Sequence, residues 1–339
     1  MLCQVTEAPD HLDEQRPATP TRPRRIGVLT HVGRPAAVDV ASRLIEGLLA
    51  AGLVPALPAE DLHALDPRLA EASATLTRPT HEGPEAIELL VVLGGDGTIL
   101  RGAEWVLSAD LPLLGVNLGH VGFLAEAESS EVDSIVEHIV AGSYTVEERF
   151  TTQVTLRECP SGEVVWSSYA INEVSIEKAA RERMLEVVVE VDGRPLSRWA
   201  CDGVLVATPT GSTAYAFSAG GPVIWPGVDA LLLVPLSAHA LFARPLVLGP
   251  QSTVVIELIE ASPTFGVVWC DGRRSAELRT GMEIEVRQGD HRLRLARLSQ
   301  APFTDRLVNK FGLRVEGWRG AAEDERGSVL EPHRAWSSS

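Results

Sequence analysis

The apolar run Leu89-Leu-Val-Val-Leu93 passes without a break into Gly94-Gly95-Asp96-Gly97-Thr98, and this junction constrains the fold more than any other stretch. A run of apolar residues with no polar alternation suits a strand buried on both faces, as in a parallel sheet covered by helices. Glycines directly after such a strand, followed by Ile99-Leu100-Arg101, predict a turn that opens a helix. In an open parallel sheet this turn lies at the carboxyl end of a strand, where ligands bind. The flanking segments keep the same rhythm. Arg25–Thr30 reads as a strand, and Ala36–Ala51 as a helix with Val38, Ala41, Leu44, Ile45 and Leu48 on one face. Leu53–Leu57 and Leu113–Asn117 read as further strands. Strand and helix alternate to about residue 125, so a Rossmann-like α/β unit is expected here.

The rhythm changes near residue 145. Strand-like runs follow one another at Thr151–Glu158, Val164–Ile176, Leu185–Val191, Val204–Ala207, Thr253–Leu258, Gly266–Cys270, Met282–Gln288 and Leu293–Leu298, many of them separated by Gly, Pro or Asp-Gly. This predicts a mostly antiparallel, β-sandwich-like second domain. Two of its turns carry the same tripeptide, Cys201-Asp202-Gly203 and Cys270-Asp271-Gly272, too little to define a repeat. The expected layout is a disordered tail at 1–24, an α/β domain at 25–130, a β-rich domain at 131–302, a helix or strap at 303–318 and a mobile tail at 319–339. A chain of 339 residues is long enough for two such domains.

Composition removes several function classes. The net charge of −16 argues against a general nucleic-acid binder, which would show a basic footprint. An anionic ligand must therefore be met by local arginines or backbone N–H groups. Lysine occurs only at Lys178 and Lys310, neither in the context of a P-loop or of a protein-kinase strand. Cys3, Cys159, Cys201 and Cys270 are scattered without metal-ligand spacing, which suits reduced thiols. No stretch reaches the roughly 18 apolar residues of a membrane span, and the first residues lack an apolar signal core. A cytoplasmic protein with no membrane partner is expected.

Four segments carry chemistry. In Gly94–Gly102 the glycines admit an anion to the backbone and the helix start supplies free N–H groups. Asp96 repels phosphate, so it is a candidate general base toward a hydroxyl or a metal ligand; the bland alternative is a helix cap. Arg101 stands one turn along the helix, beside Gly97, and either serves a phosphate or covers the helix. The second segment, Gly115–Leu124, is a glycine-dense loop. In the third, Asn172-Glu173 lies within an expected strand, where neighbours face opposite sides. The residues by themselves favour a Glu173–Arg cross-strand pair over ligand binding. The fourth, Asp202–Pro222, runs from a strand into a stiff turn, with Ser212 or Thr213 expected to cap a short helix and Tyr215 to offer a flat face. Ser218 lacks the context of a nucleophile elbow, which argues against a serine hydrolase.

Together these segments resemble the NAD kinase family, bacterial type. The resemblance rests on Gly-Gly-Asp-Gly-Thr at 94–98, Asn-Leu-Gly-His-Val-Gly-Phe-Leu at 117–124, Asn172-Glu173, Asp202-Gly203 and Thr-Pro-Thr-Gly-Ser-Thr-Ala-Tyr at 208–215. It continues through Ser-Ala-Gly-Gly-Pro at 218–222, Asp271-Gly272 and Lys310–Leu313, and spans about residues 25–316. It implies an α/β domain and a β-rich domain with the active site between them, the final segment packing back on the first. The implied reaction moves the γ-phosphoryl of ATP to the 2′-hydroxyl of the adenosine ribose of NAD, giving NADP. Asp96 is then the base, and Mg²⁺ or another divalent cation neutralises phosphate charge. The family resemblance also assigns Gly97 and Arg101 to the phosphates, Asn172 and Glu173 to ribose and adenine, and Asp202 to the nicotinamide end. Thr213, Ala214, Tyr215, Ala216, Phe217 and Ser218 form the adenosine turn, and Arg183 falls where many members are basic. It further implies a homo-oligomer, and polyphosphate as an alternative donor. Where some members have Gln after the late Asp-Gly, this chain has Arg273, so that contact does not carry over. A lipid kinase sharing Gly-Gly-Asp-Gly-Thr and a non-catalytic NAD(P) sensor are the alternatives. The first needs a membrane-facing surface that the sequence lacks; the second is separated by turnover.

Overall fold

A computed structural model describes residues 23–77, 79–80, 86–118, 122–259, 264–299 and 301–313. The expected tails lie outside these residues except for Pro23 and Arg24, as do Gly119, His120 and Val121 of the second glycine-rich loop.

The first sheet has the strand order 74–75, 54–57, 25–30, 89–93, 113–117, 293–297, 145–149, with Ala127–Glu128 pairing beside Leu113–Asn117. Its strands run parallel except Thr145–Arg149, which is antiparallel to Leu293–Arg297. Leu89–Leu93 is buried throughout, as the unbroken apolar run requires. Each such side chain contributes about 1.5–3 kcal/mol on burial. Helix Pro35–Ala50 packs on one face through Ala41, Leu44, Ile45 and Leu48, joined by Val132, Ile135 and Ile139 of helix Val132–Ala141. Helix Asp96–Val106 covers the other face with Ile99, Leu100, Ala103 and Val106. The first helix buries Ala37 where Val38 was expected, and Val38 is only half-buried.

The sheet runs past the boundary expected at residue 130. Helix Val132–Ala141 and strands Thr145–Arg149 and Leu293–Arg297 belong to this first layer. Leu293–Arg297 has the alternating pattern of any half-buried strand, and pairing at long sequence distance decides which sheet it joins.

The remaining strands form two six-stranded antiparallel sheets. One has the order 246–248, 231–236, 203–207, 173–178, 266–270, 274–278; the other 194–201, 185–191, 254–258, 282–288, 152–158, 164–170. Their inner faces share a core that includes Val174, Ile176, Val206 and Val268 from the first, and Val187, Trp199, Ile256 and Ile284 from the second. This is the expected sandwich. Strands Arg194–Cys201 and Arg274–Leu278 were not legible because each is an edge strand, where charged residues and Pro195 are tolerated.

One correction bears on function. Val164–Ile176, expected as one strand, is two: Val164–Ala170 in one sheet and Glu173–Lys178 in the other. Ile171 and Asn172 make the crossing because their N–H groups go to the Asp271 carboxylate, at 3.0 and 2.7 Å, instead of to a sheet ladder.

Candidate active site

Helix Pro35–Ala50 begins at Arg34 and helix Asp96–Val106 at Gly95, and neither has a side-chain cap. Both residues line one cavity of about 380 Å³, together with His31, Gly97, Thr98, Arg101 and Arg273. Both uncapped helix starts turn the positive end of a helix dipole to the same space, and the first turn of helix Asp96–Val106 adds backbone N–H groups, whereas the other helix starts at Pro35, which has none. The charged side chains on its wall are all arginines. In a chain of net charge −16 this is the local concentration of positive charge that an anionic ligand needs. Arg101 is held in place by Nη2 donating to the Thr30 carbonyl at 2.7 Å, while the Thr30 N–H goes to buried Asp61 at 3.0 Å.

Asp96 stands between two of the lining residues, Gly95 and Gly97. It is the first residue of its helix, not the cap. Its carboxylate accepts from the Phe123 and Leu124 N–H groups at 3.4 and 3.3 Å, long bonds that aim it across the loop after Asn117. The four glycines around it have separate tasks. A Cβ at Gly122 would overlap the Asp96 carboxylate, and one at Gly94 would strike the Thr98 side chain. Gly95 and Gly97 have open space where a Cβ would stand, so there the missing side chains leave backbone accessible from the cavity.

Asn172 and Glu173 sit at the crossing between the two β-sheets, the bend that both would need to serve one ligand. Among the described residues Glu173 has no arginine partner, contrary to the cross-strand pair that the residues alone favoured. It is buried, and its Oε2 makes no hydrogen bond. Burial, reinforced by the nearby Asp271 charge and opposed by the Tyr215 N–H, pushes its carboxyl up to about 8. Asp271 is the residue the sequence undervalued. Its carboxylate takes the Ile171 and Asn172 N–H groups and an Arg274 Nη2 at 2.7 Å. Arg274 in turn lies 3.9 Å over the Tyr169 ring. The repeated Cys-Asp-Gly and the place of Asp271-Gly272 in the family resemblance were its signals in the sequence.

The turn after Ala207 locks onto the same crossing. Thr208 Oγ1 donates to the Ile171 carbonyl at 2.5 Å and the Thr208 N–H to the Asn172 carbonyl at 2.8 Å. Gly211 lies so close to the Asn172 carbonyl that any Cβ would overlap it. The expected cap is not formed: helix Tyr215–Ser218 starts at Ala214 with no side-chain cap. Ser212 is instead buried, donating to the Pro209 carbonyl at 2.6 Å and accepting the Ile224 N–H at 2.9 Å, and Thr213 donates to the Thr210 carbonyl at 3.2 Å. Ala216 packs beneath the turn, while Tyr215 and Phe217 stay exposed. Phe217 stacks on Phe311 of helix Phe303–Phe311 at 4.6 Å, and Phe311 meets Phe123 at 5.8 Å. Helix Phe303–Phe311 thereby joins the loop that holds Asp96 to the Tyr215–Ser218 turn.

Tyr215 and Ser218 line a second cavity of about 530 Å³ with Glu177, Lys178 and Asp202. Here the acids outnumber the base. Asp202 pairs with Lys178 at 2.5 Å, and that ammonium holds its carboxyl below the usual range. Arg183 is exposed in the turn between strands Glu173–Lys178 and Leu185–Val191 and lines neither cavity. Gly97 and Arg101 thus line the first cavity and Asp202, Tyr215 and Ser218 the second, while Arg183 lines neither. His31 and Arg34 were missed because no local pattern marks them; only the packing of the first helix beside the Gly95 turn brings them in.

Arginines and helix starts beside the Asp96 carboxylate, with exposed rings on a turn from the second domain, mark a phosphotransferase acting on nucleotides. Family models of the ATP-NAD kinase N-terminal and C-terminal domains match residues 26–144 and 171–298. The chain belongs to the ATP-NAD kinase family. It is 53% identical over 304 residues to NAD kinase 2 of Streptomyces avermitilis, covering 89% of this chain and 99% of the relative. It is 48% identical over 309 residues to the NAD kinase of Mycobacterium tuberculosis, covering 88% and 99%. Among solved structures, an Archaeoglobus fulgidus NAD kinase in complex with ATP superposes with a TM-score of 0.61 at 26% identity, covering 85% of this chain and 97% of that one. Yeast NADH kinase complexed with NADH shares the fold with a TM-score of 0.74 at 22% identity, covering 87% and 89%.

Proposed function

We propose that this site transfers the γ-phosphoryl group of ATP to the 2′-hydroxyl of the adenosine ribose of NAD, with Asp96 as general base. The observation that carries the assignment is the position of Asp96. It is a carboxylate held by two backbone N–H groups at the edge of an arginine-lined cavity, on a loop tied through Phe311 to the Tyr215–Ser218 turn. The ATP phosphates lie against Gly95, Gly97, Arg101 and the two helix starts. Asp96 takes the 2′-hydroxyl proton as the ribose oxygen bonds to the γ-phosphorus and ADP departs. Phosphoryl transfer of this kind depends on positioning and charge neutralisation more than on covalent chemistry by the protein.

Asn172 and Glu173 hold the adenosine ribose and adenine, and residues 213–218 form the wall beside them. The acid-rich cavity at Glu177 and Asp202 suits the cationic nicotinamide ring, as the basic cavity suits phosphate. A divalent ion would be held by the donor's phosphates with Asp96 as its candidate carboxylate ligand; among the described residues no three His, Cys, Asp or Glu side chains group as ligands. Such an ion, normally Mg²⁺, offsets charge on the transferred group. Exposed Leu241, Phe242 and Val247 support assembly with further copies of the chain, and we place the enzyme in the cytoplasm.

Incubation with NAD, ATP and Mg²⁺ tests the assignment by the appearance of NADP. Product from inorganic polyphosphate but not ATP would keep the reaction and change the donor. NAD binding without product from either donor would overturn it in favour of a sensor.

A further inference from the structure

The phosphate cavity receives one charged side chain from the β-rich domain, Arg273. The turn that carries it is built to hold it there. Asp271 is anchored by the Ile171 and Asn172 N–H groups and by Arg274, whose guanidinium is pinned over Tyr169. Its neighbour Arg273 reaches helix Asp96–Val106. There its Nε and Nη2 take the two carboxylate oxygens of Glu104 at 2.9 and 3.2 Å. Glu104 also reaches Arg274 at 3.3 Å. A two-point grip of this kind fixes the plane of a guanidinium, which a single-point lysine contact does not. It leaves Nη1 as the nitrogen that Glu104 does not engage. The same helix carries Asp96 and Arg101, so Glu104 sets the position of Arg273 relative to the base and the cradle.

We propose that Arg273 is a binding residue for the polyphosphate chain of the donor nucleotide and that Glu104 is its positioning residue. This rests on the assignment of the cavity to the donor phosphates. The donor is then held from both domains, by Arg101 and the helix starts on one side and by Arg273 on the other. The alternative role for the pair is a staple between helix Asp96–Val106 and the 271–274 turn, which would affect stability and both substrates alike.

The test is calorimetric binding of Mg-ATP and, separately, of NAD to wild type, Arg273→Gln, Arg273→Lys and Glu104→Gln, with the melting temperature of each. A charge-assisted contact to phosphate predicts about a tenfold or greater loss of ATP affinity in Arg273→Gln, with NAD affinity within about twofold. Arg273→Lys should recover part of that loss, and Glu104→Gln should weaken ATP by a smaller factor while sparing NAD. ATP affinity unchanged in Arg273→Gln would overturn the proposal. So would equal losses for ATP and NAD with a lower melting temperature, the signature of a staple. Because the readout is binding, a wild type that binds ATP yet makes no NADP would count against the proposed reaction and not against Arg273.

Discussion

The tripeptide Cys-Asp-Gly occurs twice in the β-rich domain, and the two aspartates live opposite lives. Asp202 follows strand Arg194–Cys201, is 40% exposed, and faces the second cavity paired with Lys178. Asp271 follows strand Gly266–Cys270, is 1% exposed, and spends its oxygens on two backbone N–H groups and Arg274. The Lys178 ammonium holds the Asp202 carboxyl low, whereas burial pushes Asp271 up. One is open to the second cavity; the other builds the bend on which Asn172 and Glu173 stand. Identical local sequence after identical local structure therefore carries no role by itself, and burial with available partners decides it.

The largest test of that contrast is the same substitution at both places. Asp271→Asn removes a charge from a buried pair and weakens the acceptor for two buried N–H groups, so a loss of about 3–5 kcal/mol is expected in denaturant unfolding. Asp202→Asn should cost under about 1 kcal/mol, because its ion pair is exposed, while raising the KM for NAD. Equal destabilisation by the two would break the comparison.

Glu173 gives a pH test of the buried side. Its carboxyl is raised from 4.5 to about 8, so between those values the folded protein keeps a proton that the unfolded chain releases. Stability contributed by this group is therefore full below about pH 4.5 and declines as pH rises toward 8. The difference in unfolding free energy between wild type and Glu173→Gln, followed from pH 5 to 8 by denaturant titration, should move steadily against wild type, on the order of 2–4 kcal/mol over the window. A pH-independent difference would show that Glu173 is not desolvated in the folded protein.

Gly211→Ala probes the joint that ties the Thr208–Ser218 turn to the Asp271-anchored bend. Its Cβ would overlap the Asn172 carbonyl, so a cost of about 1–3 kcal/mol and weaker NAD binding are expected together. Stability and NAD affinity both at wild-type values would show that the joint yields freely. The smallest effect belongs to the exposed side. A double-mutant cycle on Lys178 and Asp202 should give a coupling below about 1 kcal/mol that fades in 1 M salt. A coupling that persisted in salt would mean the pair is shielded from solvent.

Much of the α/β layer was legible because its signals are local: Leu89–Leu93 is an unbroken apolar run and the helix Pro35–Ala50 shows its period openly. The Asp96 turn was legible for the same reason, since strand, glycines and helix start are contiguous. What escaped depended on distant partners. The split of Val164–Ile176 is made by a carboxylate 99 residues away from Asn172. The place of Leu293–Arg297 in the first sheet is set by pairing with Leu113 and Thr145–Arg149. Arg34 and His31 enter the cavity through helix packing, and Arg183 stands outside both cavities despite its family spacing.

The measurement that bears most directly on the proposed chemistry is the single-turnover rate of NADP formation by Asp96→Asn, at saturating NAD and ATP. Loss of a general base predicts a fall of about 10²–10⁴ in rate while both substrates bind within a few-fold of wild type. A variant that bound both substrates and turned over within about tenfold of wild type would contradict the assignment of Asp96 as the base.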